Sequence, residues 1–295
     1  MNQYQLIPFN RASEFFNTIY HQPVSPGTIV NAVDALSSRL HVVDDGIKQL
    51  LIHSELAHSD ETGANINGDK HWLHTVGTEK LTHYALHEKR GQAAMEAIGI
   101  LPEFKGTLVH DHWKSYFTYE AIRHGLCNAH HLRELKFIAE HQQIKWANRM
   151  SNLLLRVNEH KNALIKQGKD FTKAQKKKYD EEYDEIIQKA GKEQARRGSI
   201  ESHNLLKRLK AYKVCVLLFM NDISVPFTNN LSEQDIRMMK VKGKISGCFR
   251  KMTGGNNFCK IRSVISTANK NKKNVFDILQ RAFQNIITVD MLIAE

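Results

Sequence analysis

The sequence predicts a mixed α/β protein in which a sheet is flanked by helices. Short runs with strand-like alternation lie between residue 51 and about residue 126, and a short helical stretch interrupts them. Within this region the largely apolar run GTLVH is typical of a buried strand. The chain from about 130 to 220 is instead helical in pattern and strongly charged. Strands with an intervening helix, followed by a block of helices, indicate an α/β core.

The amino-terminal part begins with helices and continues into strands. Residues 1–50 repeat apolar side chains at helical spacing, and Ser25-Pro26-Gly27-Thr28 can start a helix. The LAHS run predicts a first strand that ends in a turn at Asp60-Glu61-Thr62-Gly63. KHWLHTVG and LTHYALHE, joined by Thr78-Glu79-Lys80, predict an antiparallel hairpin.

Two later segments complete the pattern. QAAMEAIGI predicts a short helix that Gly99 ends, since glycine readily takes the left-handed conformation of a helix terminus. VCVLLFM fits either a buried helix or a buried strand.

The distribution of charge predicts a polyanionic partner. The formal net charge is +11. Residues 236–276 hold eight lysines and three arginines without an aspartate or glutamate, whereas the rest of the chain is balanced. A solvated lysine-rich surface usually has interspersed acids, so phosphate contact is the better interpretation of this segment. We expect contacts that do not depend on base sequence from the following residues: Arg237, Lys240, Lys242, Lys244, Arg250 and Lys251.

Neither a membrane protein nor a disulfide framework is predicted. No apolar run approaches the roughly 20 residues of a membrane-spanning helix, and the first residues lack the layout of a signal peptide. Four cysteines are scattered without a CxxC pair, which favours reduced thiols over disulfides or a four-ligand zinc module. The expected location is the cytoplasm.

Three carboxylates are candidates for a metal site. Two divalent ions can activate an attacking oxygen and stabilise a leaving oxygen in phosphodiester chemistry, and magnesium prefers carboxylate ligands. Asp60 follows LAHS, Asp111 follows GTLVH, and Glu233 lies near the start of the helical SEQDIRMMKVK, with Arg237 and Lys240 on the same helical face. From spacing alone, turn capping by the aspartates and a salt-bridged exposed helix remain better explanations.

Four blocks of sequence, in order, resemble transposases of the insertion-sequence-66 family. They are DETGANINGDKHWLHTVGTEKLTHYALHEKRG, GILPEFKGTLVHDHWKSY, HGLCNAHHLREL and VPFTNNLSEQDIRMMKVKGKISGCFR with the later GGNNFCKIRSVISTANK. The resemblance implies a ribonuclease-H-like fold and an Asp, Asp, Glu triad at Asp60, Asp111 and Glu233 that binds two Mg²⁺ or Mn²⁺ ions. It also implies that Lys240, seven positions after the glutamate, helps to hold DNA, whereas Asn229 replaces an arginine common in related groups.

The implied activity is cleavage and strand transfer on double-stranded DNA, with transposon ends and a target as substrates. Water would first release a 3′-hydroxyl at the transposon end, and that hydroxyl would then attack target DNA, without a covalent enzyme intermediate. By analogy, we expect a homo-oligomer on DNA and accessory proteins encoded by the element.

The expected organisation has four parts. Residues 1–50 are a helical remnant of an upstream region, 51–129 the first part of the catalytic core, 130–220 a helical insertion, and 221–295 the second part with the basic segment and a helical tail. The resemblance implies that relatives are usually longer at the amino terminus, with a helix-turn-helix and a zinc module. We therefore expect a truncated copy, a separately encoded catalytic part or a degraded element, and its autonomous activity is open.

Two other functions remain open at this stage. The chain could be a catalytically silent DNA-binding remnant that needs, or interferes with, a full-length partner. It could also be a zinc-dependent binding protein that uses Cys127, His130 and His131, although a second close pair of ligands is missing.

Overall fold

The computed structural model describes residues 1–142 and 144–294. Its strands are β1 (Leu56–Ile66), β2 (Asp69–Gly77), β3 (Thr82–His87), β4 (Thr107–His110) and β5 (Arg123–Leu126). The helices before β5 are α1 (Asn2–Gln5), α2 (Phe9–Tyr20), α3 (Pro26–Arg39), α4 (His41–Ile52) and α5 (Gln92–Ile98), with a 3₁₀ helix at Lys114–Thr118. The helices after β5 are α6 (Asn128–Gln142), α7 (Lys145–Lys166), α8 (Lys173–Arg197), α9 (Ile200–Ala211), α10 (Lys213–Val216), α11 (Leu218–Asn221), α12 (Asn230–Ser246), α13 (Met252–Lys270), α14 (Val275–Phe283) and α15 (Asp290–Ile293).

The protein is a mixed α/β protein, as the sequence predicts. Its five strands form a mixed sheet in the order β3-β2-β1-β4-β5, and helices flank it. The chain divides into two compact units, a first unit of Met1–Gly106, Thr118–Ile122 and the chain from Asn230 onward, and a second unit of Thr107–Phe117 and Arg123–Asn229. In the part of the chain that is described, no helix combines the length and apolar character needed to cross a bilayer.

In the first unit, β1 is longer than predicted, and the predicted turn at residues 60–63 is wrong. The strand continues to Ile66 and pairs antiparallel with β2, with Asp60 opposite Thr75. The hairpin turn lies at Asn67-Gly68, where both residues have positive φ angles of 52° and 95°, as a two-residue turn of this kind requires. Because β2 supplies hydrogen-bond partners along this stretch, the ladder overrides the local turn preference of the sequence Asp-Glu-Thr-Gly.

The other predicted elements of the first unit are confirmed. Strands β2 and β3 form the antiparallel hairpin. Helix α5 ends at Gly99, which has a φ angle of 70° and donates its N–H to the Met95 carbonyl at 3.0 Å. Helix α13 packs on β3, and the Tyr84 N–H donates to Ser263 Oγ at 3.0 Å. Helix α12 lies against β1 and β2. The hairpin strands and these two helices therefore enclose one apolar core.

The second unit combines a short parallel strand pair with helices. Strands β4 and β5 pair in parallel, and β4 is fully buried, as predicted for GTLVH. The VCVLLFM segment is helical rather than a strand, since it lies in α10 and α11. Apolar side chains from α6 to α11 form the core, in which Trp146, Tyr183 and Phe219 are the largest members.

The two ends of the helical part of the second unit lie next to each other and are joined by hydrogen bonds. The Cys127 N–H donates to the His110 carbonyl at 2.9 Å, and the Asn128 N–H donates to the Phe227 carbonyl at 3.0 Å. The Asn229 N–H in turn lies 3.1 Å from Cys127 Sγ. The segment that leads directly into α12 is thus attached to the chain that follows β5.

A buried histidine makes the stability of the first unit sensitive to pH. His74 on β2 is 5% exposed, and one ring nitrogen lies 3.2 Å from the Lys89 carbonyl. Burial lowers the pKa of His74 to about 4, despite this hydrogen bond, because the charged ring would lose its hydration. The folded pKa lies below the ordinary value, so the unfolded chain binds more protons at intermediate pH, and stability falls as the pH drops from about 6.5 to about 4.

We therefore expect His74→Gln, which keeps a hydrogen-bond donor, to lose part of this acid sensitivity. Urea unfolding of both proteins at pH 8 and at pH 4.5 measures the effect. The wild type should lose more free energy of unfolding than the variant between these values, by an amount on the order of 2–3 kcal/mol. Equal losses in both proteins would show that His74 is not held neutral by the fold.

Candidate functional site

Asp60 is one of two adjacent carboxylates on β1. Its side chain is half-buried, and its Oδ1 accepts a hydrogen bond from the Glu61 N–H at 2.8 Å. Successive side chains of a strand point to opposite faces. Glu61 is buried and bonded to Arg90 Nε at 2.7 Å. Strand alternation therefore directs Glu61 into an ion pair and places Asp60 on the other face.

Asp111 is the first residue after β4 in the second unit. Its Oδ1 accepts a hydrogen bond from the Trp113 N–H at 2.8 Å, which is the turn-capping contact expected of an aspartate here. Asp111 also lines a cavity of about 220 Å³ together with His112, Cys127 and His130. The hydrogen bond to the Trp113 N–H therefore holds the Asp111 carboxylate in place at the edge of this cavity.

Neutral histidines surround this turn. His110 is fully buried, with its Nε2 2.9 Å from His124 Nδ1, and burial lowers its pKa to about 3. Burial also lowers the pKa of His131 to about 3, and its Nδ1 lies 3.1 Å from Asn128 Oδ1. These two rings are uncharged at neutral pH, so they contribute packing and hydrogen bonds rather than positive charge.

Glu233 lies in the first turn of α12, where an acidic side chain interacts favourably with the helix dipole. It is half-buried. Asp235, two residues further on, is buried and forms a hydrogen-bonded ion pair with Lys270 Nζ at 2.7 Å. The two acids of this helical turn therefore differ in burial, since Asp235 is buried in an ion pair and Glu233 is half-buried.

The Asp235–Lys270 pair belongs to a buried polar network that sequence analysis missed. Asp235 Oδ2 also accepts from Thr82 Oγ1 at 3.2 Å, and Lys270 Nζ donates to the carbonyls of Thr78 and Leu81 at 2.8 and 3.1 Å. Burial raises the pKa of Asp235 and lowers that of Lys270, and the attraction between the two charges opposes both shifts. The partners are 35 residues apart, so no local pattern could have indicated the pair.

The predicted DNA-contacting residues all belong to the first unit. Arg237, Lys240 and Lys244 are exposed on α12, and Lys242 is half-buried. Arg250 and Lys251 are exposed just before α13. Lys240, Lys242 and Lys244 line one pocket, whereas the other three predicted residues lie outside it.

Asp60 and Glu233 lie on elements of the first unit that pack together, since α12 lies against β1. Asp111 lies in the second unit. An α/β protein with a five-stranded mixed sheet flanked by helices is compatible with the ribonuclease-H-like class of folds.

The family model of IS66 transposases matches residues 2–257, and the chain belongs to this family. A search of curated proteins returned no match. Membership supports a transposase-type function in DNA transposition and recombination, for which DNA is the substrate and nuclease or transferase activity the chemistry. Transposases of this kind usually need divalent metal ions.

The buried ion pair predicts a stability change that is independent of catalysis. Lys270→Met leaves the Asp235 carboxylate buried without its partner, which should lower the free energy of unfolding by about 3–5 kcal/mol. The double variant Asp235→Met, Lys270→Met should recover most of this loss, because both charges are removed. Urea unfolding provides the measurement.

Lys272→Met is the matched control, because Lys272 is exposed and only two residues away. It should change stability by less than about 0.5 kcal/mol. If Lys270→Met is no less stable than this control, the pair does not hold α12 in place.

Proposed function

We propose that this transposase family member catalyses metal-dependent DNA cleavage and strand transfer, with Asp60, Asp111 and Glu233 as the metal-binding carboxylates. The observation that carries the proposal is the packing of α12, which has Glu233 in its first turn, on β1, which carries Asp60, in a chain of this family. All three carboxylates fall inside the region matched by the family model.

The chemistry of the donor set fits magnesium or manganese. Three carboxylates supply hard oxygen ligands and leave coordination positions for water and phosphate. Each comes from a defined position: Asp60 within a strand, Asp111 in a capped turn, and Glu233 in a first helical turn. The neighbouring acids Glu61 and Asp235 form ion pairs with Arg90 and Lys270, respectively.

Two bound ions would supply a more acidic attacking oxygen and neutralise charge on the phosphate and the leaving oxygen. The protein would hold the three carboxylates in position, and rigid elements suit that task better than loops. In-line attack, first by water and then by the released 3′-hydroxyl, needs no nucleophilic side chain.

DNA contact is the proposed task of the basic residues. Arg237, Lys240, Lys242, Lys244, Arg250 and Lys251 are exposed or half-buried cations in a segment that contains no acidic residue. Contacts of this type fix a DNA strand without reading its sequence, and they weaken as salt increases.

The finer organisation is proposed on the same basis. We infer a ribonuclease-H-like core formed by residues 51–129 and 221–295, a helical insertion at 130–220, and a helical segment at 1–50 that precedes the core. The matching ends of the helical segment, at Asn128 and Phe227, support an insertion that leaves and rejoins the core at one point. A homo-oligomer assembled on DNA in the bacterial cytoplasm, aided by accessory proteins, completes the proposal.

The direct test is nicking of linear duplex DNA that carries the element's ends, with Mg²⁺ or Mn²⁺. Asp60→Asn, Asp111→Asn and Glu233→Gln remove one charge each with little change in shape. Each should lower the nicking rate by at least about a hundredfold and leave salt-sensitive DNA binding in place. Chelation of the metal should abolish nicking of the wild type.

Asp69→Asn serves as the matched control, because Asp69 is an exposed carboxylate in the β1–β2 hairpin of the same unit. It should nick at the wild-type rate. DNA binding without nicking by either metal would instead favour a catalytically silent remnant. Bound zinc that is lost in Cys127→Ser would favour the zinc-dependent binding protein.

A further inference from the structure

A pocket in the first unit is lined by lysines, and none of the described residues in its wall carries a carboxylate. It lies between the carboxyl-terminal part of α12 and the far half of β1, where Gly63, Ala64 and Asn65 form one side. Its volume is about 350 Å³, which lies at the small end of the range for ligand pockets. Lys240, Lys242 and Lys244 form the opposite wall.

The floor of this pocket is fixed by backbone hydrogen bonds. The Phe249 N–H donates to the Asn65 carbonyl at 3.0 Å, and the Asn67 N–H donates to the Phe249 carbonyl at 2.7 Å. These bonds attach the chain after α12 to the end of β1 as an isolated parallel bridge between Ile66 and Phe249. The segment around Phe249, which lines the pocket, is therefore attached to the end of β1 by hydrogen bonds.

The lysines of the pocket carry uncompensated charge. Within residues 1–142 and 144–294, no carboxylate pairs with Lys240, Lys242 or Lys244. Lys242 is half-buried and its Nζ lies 5.3 Å from the centre of the Phe249 ring. Burial lowers the pKa of Lys242, because its ammonium group loses water. An anion in the pocket would restore the favourable surroundings that the charged form lacks.

Two glycines belong to the wall of the pocket. Gly243 lies inside α12, and a β carbon at this position would meet no atom within 4 Å. Glycine at a helix interior costs about 1 kcal/mol relative to alanine, so its presence here is not explained by helix stability. Gly247 follows the helix with a φ angle of 72°, which turns the chain toward Phe249.

We propose that this pocket binds one backbone phosphate of a DNA strand, held by Lys242 and Lys244, and bounded by the glycines at 243 and 247. The inference rests on the proposed function, since it assigns a defined phosphate position to a DNA-processing chain. A phosphodiester carries a single, compact negative charge, which would pair with the ammonium groups of these lysines. Exposed cations such as Lys251 would instead contribute to a diffuse attraction.

A natural cysteine reports on the pocket. Cys248 lines it and is exposed, whereas Cys127 and Cys259 are buried and Cys215 is half-buried. The probe is a 20-base-pair duplex, and the measurement is the alkylation rate of each cysteine by a maleimide, followed by peptide mass spectrometry. At a DNA concentration ten times the Kd, alkylation of Cys248 should slow roughly tenfold, while that of Cys215 stays unchanged.

Matched variants distinguish the contribution of the pocket to DNA binding from that of the overall positive charge. Lys242→Met should raise the apparent Kd for protection of Cys248 by roughly tenfold or more, as expected for the loss of a charge-assisted hydrogen bond. Lys251→Met removes the same charge outside the pocket and should raise it by less than about fivefold. Lys244→Met provides a second pocket variant with an exposed side chain, and thermal unfolding of all three verifies that they fold.

Fluorescence anisotropy with the same duplex distinguishes the two levels of inference. Absence of DNA binding would overturn the proposed function itself. DNA binding that leaves the Cys248 rate unchanged, or equal effects of Lys242→Met and Lys251→Met, would overturn only the pocket. Protection by inorganic phosphate as strong as that by DNA would assign the pocket to free phosphate instead.

Discussion

The buried pairing of Asp235 with Lys270 fixes the position of the helix that carries Glu233. The ammonium group of Lys270 has three acceptors, in Asp235, Thr78 and Leu81, which satisfies its three N–H donors. Through these bonds, α12 and α13 are attached to the turn that joins β2 and β3. Removal of two charges from water is costly, so the attraction between the two charges is largely offset by the hydration that both lose.

The same network explains a glycine in the adjoining strand. A β carbon at Gly77 would lie 2.8 Å from Asp235 Oδ2 and 3.0 Å from the Leu81 carbonyl. Any side chain there would push the helix or the turn away. The positions of the hairpin, of α12 and of α13 therefore depend on one another. A larger side chain at residue 77 would displace α12 and with it Glu233.

Burial and ion pairing also distinguish neighbouring acidic residues of this chain. On β1, Glu61 is committed to Arg90 on one face, and Asp60 lies on the other. In α12, Asp235 forms an ion pair with Lys270, and Glu233 lies two residues nearer the helix start. In both places two acids are close in sequence, and one of them forms an ion pair within the first unit.

The sequence by itself determined the α/β class, the hairpin of β2 and β3, the buried β4 strand, the helix ending at Gly99 and the family, because these depend on local periodicity and on blocks of contiguous residues. Tertiary structure decided the rest. It extended β1 through Asp60, because the hydrogen bonds that β2 supplies exceed a local turn preference. It also paired Asp235 with Lys270 and joined Phe249 to Asn65, since contacts between residues distant in sequence leave no periodic trace and form only when the chain folds.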